Sequence, residues 1–538
     1  MSCSKNTLVR WRRCVGPTAL IVALTACGGG GGGSSPASFQ PQTPPPPPAT
    51  PSGSSDFANG VFQPEGNFKD LCANPRVGNF PDSAGSTTDE NLWLRSWSNN
   101  TYLWFDEIED ADPAAFATPA YFDLMRTFAT TASGAQRDRF HFTFDTEDWI
   151  ALNQSGISAG YGFELSILAR TPPREAVVAF SEPGSPAAAA DVARGARILR
   201  VDGVDFVNGG SQADVDTINA GLFPGDINEA HSITFLDLGA NEERTVTLTS
   251  QEIVVEPVPT VEVLATDSGD VGYLVFNTHI APSEQALFDA FSSLSEAGVS
   301  ELVLDLRYNG GGLLTISNQV AYMIAGPAAA SGRVYGELEF NSKHTVRNPV
   351  TGALLQPEFF QETTVGFSAT EGQPLPTLNL DRVFVLSGPD TCSASEAIIN
   401  GLRGIDVEVV LIGETTCGKP YGFYPTDNCG TTYFTVQFRG INAVGFGDYG
   451  DGFSPANLPT VEGVPLPGCA VGDDFSKQLG DVAEARLAAA LSYMETGECP
   501  AASDSTSRLQ QARKRPAGAE PGLAVAVPPR IPGSVLLR

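Results

Sequence analysis

A serine and a lysine, each at the end of an apolar run, form the pair in this chain best suited to covalent chemistry. Ser393 stands in Thr391-Cys392-Ser393-Ala394-Ser395-Glu396, and Lys419 in Gly418-Lys419. The β-like run 383–386 ends just before the serine, and a helix-like run at 394–402 begins just after it. A serine at such a turn lies near N–H groups that lack intrahelical acceptors. The lysine follows a second apolar run, 407–412, and the turn Gly413-Glu414. Two parallel strand ends would set Ser393 and Lys419 side by side, as a nucleophile and its base require. Lysine is a base only when neutral, so burial must bring its pKa down from about 10 towards neutrality, at a cost of about 4 kcal/mol. Many serine–lysine pairs at this separation are solvated surface, and other features must separate the two cases.

One such feature is Asn309-Gly310-Gly311-Gly312, after the buried run 302–306. Glycines there let backbone N–H groups approach a developing oxyanion, although a tight strand-to-helix turn would use the same residues. Gly156-Ile157-Ser158-Ala159-Gly160 fits the G-x-S-x-G pattern literally. That elbow must follow a strand and open a helix. Here an aromatic strand-like run follows, so an esterase reading is set aside. The four histidines (His141, His231, His279 and His344) are scattered, and there is no CxxC pair. No metal site and no cofactor are expected.

The elements that must position these residues read as three regions. Thr87-Thr88-Asp89-Glu90 has the spacing of a capping box. It opens a helical stretch with Trp93, Trp97 and Trp104 along one face, expected as core of a small helical region at 85–155. From 156 to 255 the texture is short strands and turns: a strand at 176–180, a helix at 211–222 and a strand at 245–249. This order resembles a PDZ domain. The resemblance implies that Tyr161-Gly162-Phe163 captures a peptide's terminal carboxylate, beside an edge strand that adds the peptide by β-augmentation. A β-rich spacer with no binding role is the alternative. From 256 to 499 the pattern is α/β: strands at 271–276 and 302–306, helices at 283–297 and 317–324, and a last helix at 481–494. Residues 341–378 are polar with little periodicity and could form a flap over the site.

The chain begins with Arg10, Arg12 and Arg13 before an apolar segment, 15–25, too short to span a bilayer as a mature helix. This is a secretory signal. Its end, Leu24-Thr25-Ala26-Cys27, resembles a bacterial lipobox, which implies acylation of Cys27; ordinary cleavage beside an incidental cysteine is the alternative. Signal 1–27 is followed by a segment, 28–84, that begins as a low-complexity tether with Gly28 to Gly33 and Pro44 to Pro48. Residues 500–538 are polar, proline-bearing and basic in patches, and are expected to be disordered. The net charge is −30. Basic residues concentrate in the signal and the tail, where the acids are only Asp504 and Glu520, so the middle is more acidic still. That field argues against nucleic acid as a partner. Beyond Cys3, Cys14 and Cys27, the six cysteines Cys72, Cys392, Cys417, Cys429, Cys469 and Cys499 are an even set that suggests disulfides in an exported chain. A Cys392–Cys417 bridge would staple the two loops that carry Ser393 and Lys419; buried free thiols are the rival reading.

Taken together, Asn309 to Gly312, Ser393 to Glu396, Gly413-Glu414-Thr415 with Gly418-Lys419, and the PDZ-like module before them resemble the S41 peptidases, the C-terminal processing or tail-specific proteases, over residues 85–495. The resemblance implies an α/β core of the ClpP/crotonase-like type with an inserted PDZ-like domain. It implies Ser393 as nucleophile and Lys419 as general base, and the N–H groups of Gly311 and Ala394 as oxyanion hole. The reaction implied is hydrolysis of protein substrates through an acyl-enzyme, without metal or ATP. The family generally carries a glutamine four residues after the lysine; Phe423 stands there, and Gln437 is the candidate substitute. The reading is a serine endopeptidase anchored by lipid to the bacterial envelope and facing the periplasm or exterior. A catalytically weak peptide-binding lipoprotein is the second reading.

Overall fold

The computed structural model describes residues 57–267, 269–458, 463–500 and 525. The signal, Cys27, the low-complexity tether and most of the tail lie outside the described residues. The first long helix, α1 (Thr87–Thr101), is capped by Ser86, whose side chain accepts from the Asp89 N–H, one residue earlier than the expected box. Trp93 and Trp97 stack with centroids 5.0 Å apart and pack against Tyr433. Trp104 lies beyond the end of α1 and so is not on that face; it stands edge-on to Tyr421 at 4.9 Å. Strand β1 (Phe142–Asp145) pairs antiparallel with Thr431–Phe434, so this N-terminal region shares its core with the later α/β part.

The following module is a sheet of β2 (Phe163–Ala169), β3 (Glu175–Ser181), β4 (Arg197–Val201), β5 (Ala230–Leu236) and β6 (Arg244–Thr249), with α2 (Gln212–Leu222) between β4 and β5. Its antiparallel order is β6-β5-β4-β3-β2, which leaves β2 at an edge. Apolar residues of one sheet face and of α2, such as Ile198, Phe235, Ile218 and Leu222, make its core. Ile157–Gly160 forms a strand paired with Gln251–Val254, which is the wrong setting for a nucleophile elbow at Ser158. Of residues 501–538 only Val525 is among the described residues. Val525 is buried in this core, and its carbonyl accepts from the Arg170 guanidinium at 3.0 Å.

In the α/β part, β7 (Thr260–Thr266), β8 (Gly269–Val275), β9 (Glu301–Asp305), β12 (Arg382–Ser387), β13 (Glu408–Gly413) and β16 (Gly468–Ala470) form one sheet in that order. Between them run α3 (Ser283–Ala297), α4 (Leu314–Ala330), β10 (Val334–Phe340), β11 (Glu358–Phe359), α5 (Ala394–Arg403), β14 (Tyr421–Gly422) and β15 (Phe438–Asn442). Only β7 is antiparallel. Alternation along the strands sends Leu302, Leu304, Val383 and Val385 towards α3, α4 and α5. Val303, Phe384, Leu386, Val410 and Ile412 point to the other face, under α6 (Ala485–Thr496). Both faces are thus covered, which is why these strands read as continuous apolar runs. Helix α4 is longer than expected and breaks at Gly326, whose φ of 73° no helix interior adopts.

A second, four-stranded sheet of order β11-β10-β15-β14 stands beside α5. Strand β11 comes from the polar stretch 341–378, which is clasped rather than loose. Glu284, buried at the start of α3, accepts from Gln319 and from the backbone N–H groups of Val365, Phe367, Ser368 and Ala369.

The β-rich module is joined to the sheet by ion pairs. Arg194 donates to Asp473 at 2.6 Å and to the Tyr308 hydroxyl at 2.5 Å. Arg307, beside it, pairs with Asp305, Asp473 and Glu484 while 1% exposed. Burial raises the Asp473 and Glu484 carboxyl pKa values, but Arg307 together with Arg486 and, at Asp473, Arg194 and the Tyr308 hydroxyl outweighs it and leaves both below the usual range. Carboxyls lowered in the folded state contribute stability above their unfolded pKa of about 4 and lose it as pH falls. Wild-type stability, followed by denaturant melts, is therefore expected to decline below about pH 4. Arg307→Ala should lose about 3–5 kcal/mol at neutral pH, because it strands buried carboxylates, and should show a shallower acid decline.

Candidate active site

Strands β9, β12 and β13 end together, with Ser387 opposite Gly413, and the site lies beyond their carboxyl ends. Ser393 is the residue before α5 and has φ 56°, ψ −112°, a conformation that a side chain rarely adopts. Its backbone N–H donates to Glu396 Oε2 at 2.9 Å. The same carboxylate reaches the lysine loop. Gly418 and Lys419 donate their N–H groups at 2.8 Å each, and the Thr416 hydroxyl at 2.5 Å. Burial pushes the Glu396 carboxyl pKa up despite these donors. A disulfide between Cys392 and Cys417 joins the two loops a second time, with Cα atoms 5.1 Å apart. The other bridges are Cys72–Cys429 and Cys469–Cys499. Cys392, Glu396 and Cys417 are close enough to hold a metal ion, but the two sulfurs are bonded to each other and offer no thiolate.

Lys419 is 1% exposed, and among the described residues its Nζ has no hydrogen-bond partner. The Phe423 ring centroid is 3.9 Å from it and that of Phe140 5.3 Å. Desolvation brings its pKa well below the ordinary lysine value, against the pull of Asp138 and Glu396. Gln437 does not hold the lysine. Its Oε1 accepts from the Tyr424 N–H at 2.7 Å and its Nε2 donates to Thr101 Oγ1, so the expectation of a substitute glutamine is corrected. An aromatic ring occupies the place of that contact. Asp138 and Phe140 belong to the N-terminal region, and Arg139 between them donates to the carbonyls of Cys417 and Gly450. Nothing local in the sequence marked these residues, because they reach Lys419 from some 280 positions away.

Gly311 packs against Ser393: a Cβ on it would lie 2.9 Å from Ala394 N and 3.0 Å from Ser393 Cβ. With φ 103° it is a position for glycine alone. Its N–H, however, donates to Asn309 Oδ1 at 2.9 Å rather than pointing to an open site. Asn309 is fully buried and also bonds the His279 ring and the Phe276 carbonyl. Its own carbonyl accepts from Cys392 N–H and Ser395 Oγ. Ala394 opens α5, where the first N–H groups have no intrahelical acceptor. Ser393 and Lys419 line one cavity with Tyr335, Ala397, Phe438 and Glu358. In the β-rich module, Tyr161 points into the core and donates to the Gly221 carbonyl, Gly162 takes φ 78°, and Phe163 starts edge strand β2.

Residues 270–424 match the model of peptidase family S41. A carboxyl-terminal-processing protease of Picosynechococcus sp. is 27% identical over 271 residues, which cover 50% of this chain and 56% of that one. One of Synechocystis sp. is 26% identical over 357 residues, 64% of this chain and 74% of its own length. The alignment with the first thus spans little more than half of that relative. Among solved structures, one from Bacteroides fragilis described as an S41 protease aligns with a TM-score of 0.54 at 22% identity. It covers 79% of this chain and 100% of its own, a likeness of fold. Over residues 270–424 the chain is thus similar to the S41 peptidases.

Glu396→Gln tests the carboxylate that ties the two loops. One amide nitrogen would face N–H donors, costing about 1–3 kcal/mol in melts. Any turnover that runs through Ser393 and Lys419 should fall at least about tenfold, with KM changed far less, because the two loops and not the cavity walls are displaced. An unchanged kcat would show that this carboxylate does not position these two residues for reaction.

Proposed function

We propose that this protein is a serine endopeptidase using Ser393 and Lys419 as a dyad. The observation that carries the proposal is the buried, unpartnered Lys419 Nζ in the cavity that Ser393 lines. Neutral Lys419 takes the Ser393 Oγ proton as the oxygen attacks a peptide carbonyl carbon. The carbonyl π electrons move to oxygen, and the Ala394 N–H meets the oxyanion. Gly311 can add its N–H once that group leaves Asn309 Oδ1. Collapse breaks the C–N bond, the protonated lysine gives its proton to the departing amine, and an ester to Ser393 remains. Lys419 then deprotonates water, which attacks the ester and restores both residues.

The β-rich module would act as a PDZ-like guide, with Tyr161, Gly162 and Phe163 taking a substrate's C-terminal carboxylate and β2 adding the peptide strand. Protein substrates at the cell envelope, with Cys27 acylated, complete the proposal; they rest on the sequence of the leader. One observation favours the weaker, peptide-binding reading: the Gly311 N–H is engaged with Asn309.

Cleavage of an unfolded protein with a free C-terminus, followed by mass spectrometry, separates the two readings. Ser393→Ala and Lys419→Ala should each reduce turnover by at least about a hundredfold. Equal turnover in all three proteins would sink the dyad, and binding without cleavage by wild type would favour the binding reading. Because desolvation lowers the Lys419 pKa, the neutral base grows as pH rises through that value, so kcat/KM should climb between about pH 6 and about pH 9. Lys419→Arg, which stays charged, should be inactive across that range. A flat wild-type profile would exclude a lysine base.

A further inference from the structure

The cavity beside Ser393 lies between α5 and the sheet of β10, β11 and β15. Its walls are mostly apolar: Tyr335, Ala397, Phe438 and Ile441 contribute. Two glutamates belong to the lining, exposed Glu337 and half-buried Glu358. Glu358 on β11 pairs in register with Gly336 on β10, and the glycine sets no side chain beside it on that face. A Cβ at 336 would approach the Ile441 carbonyl to 2.8 Å, so the gap is built into the backbone packing. Among the described residues no cation and no hydrogen-bond donor pairs with the Glu358 carboxylate, unlike neighbouring Glu339, which is paired with Arg439 on the outer surface. Burial pushes the Glu358 carboxyl up to about 7.

We infer that this cavity receives the substrate side chain on the residue whose carbonyl Ser393 attacks, and that Glu358 selects lysine or arginine there. The inference rests on the peptidase reading above and names the substrate class for that site. An uncompensated carboxylate in an apolar pocket is costly, and a bound ammonium or guanidinium removes that cost. Lysine and arginine also carry apolar stems, which suit walls of tyrosine, phenylalanine and isoleucine. The net charge of −30 raises the local concentration of basic peptides in the same direction.

The test uses the full exported protein and one peptide series that differs only at the residue before the scissile bond: arginine, its neutral isostere citrulline, lysine, and leucine. Wild type should cleave the arginine peptide at least about tenfold faster, in kcat/KM, than the citrulline peptide. Glu358→Gln should bring that ratio close to one. Affinities of the same peptides for Ser393→Ala give the ratio without turnover, should any variant cleave too slowly to measure. Equal handling of arginine and citrulline by wild type, in cleavage or in binding, would overturn the inference. So would an arginine preference that survives in Glu358→Gln. Cleavage by Ser393→Ala at the wild-type rate would instead remove the dyad itself, a distinct result.

Discussion

The buried carboxylate of Glu396 is the contact on which the proposed site depends. It accepts from Ser393, Thr416, Gly418 and Lys419, so one side chain fixes two loops that leave neighbouring strands. Among the described residues no lysine or arginine faces it at ion-pair distance; backbone N–H groups and a hydroxyl supply the donors. That choice leaves Lys419, which lies within its field, without a salt bridge to it. A salt bridge from Glu396 to Lys419 Nζ would hold the lysine charged and useless as a base. The Cys392–Cys417 bridge repeats the tie covalently, one residue before the serine and two before the lysine.

Around this tie the chain spends distant segments on the lysine's surroundings. Phe423 from its own loop and Phe140 from the N-terminal region remove water from Nζ. The rings replace a side-chain amide as the means of holding the lysine, and they favour the neutral form by desolvation. On the oxyanion side the logic differs: Asn309 holds Gly311, Cys392 and Ser395 in one hydrogen-bonded group. Tyr308, just before it, is bonded to Arg194 of the β-rich module. The nucleophile loop and the module thus share a short run of sequence.

Much of the architecture was legible because the parallel strands are buried on both faces and therefore read as apolar runs. The turn that bears Ser393 was visible for the same reason: an apolar run stops and a helical period starts. Boundaries were less legible. Ser86, not Thr87, caps α1, because capping depends on which hydroxyl reaches an N–H, a matter of backbone geometry. Trp104 fell off the helix that its spacing suggested. The stretch 341–378 had no period, yet Glu284 gathers four of its backbone N–H groups, an arrangement that no spacing rule encodes.

By itself the sequence determined which groups are available: a serine at a strand-to-helix turn, a lysine after the next strand, glycines where backbone must approach closely, and an even set of cysteines. These are local properties, set by residue type and by the periodicity of burial. Only the tertiary structure decided their state. The Lys419 pKa is lowered because segments some 280 residues apart close over it. The Gly311 N–H is engaged because Asn309 turns back on it, Gln437 is spent on Tyr424 and Thr101, and Glu358 enters the pocket through a strand pairing with Gly336. Desolvation and hydrogen-bond direction arise between segments remote in the chain, and so they are written in the packing rather than in any motif.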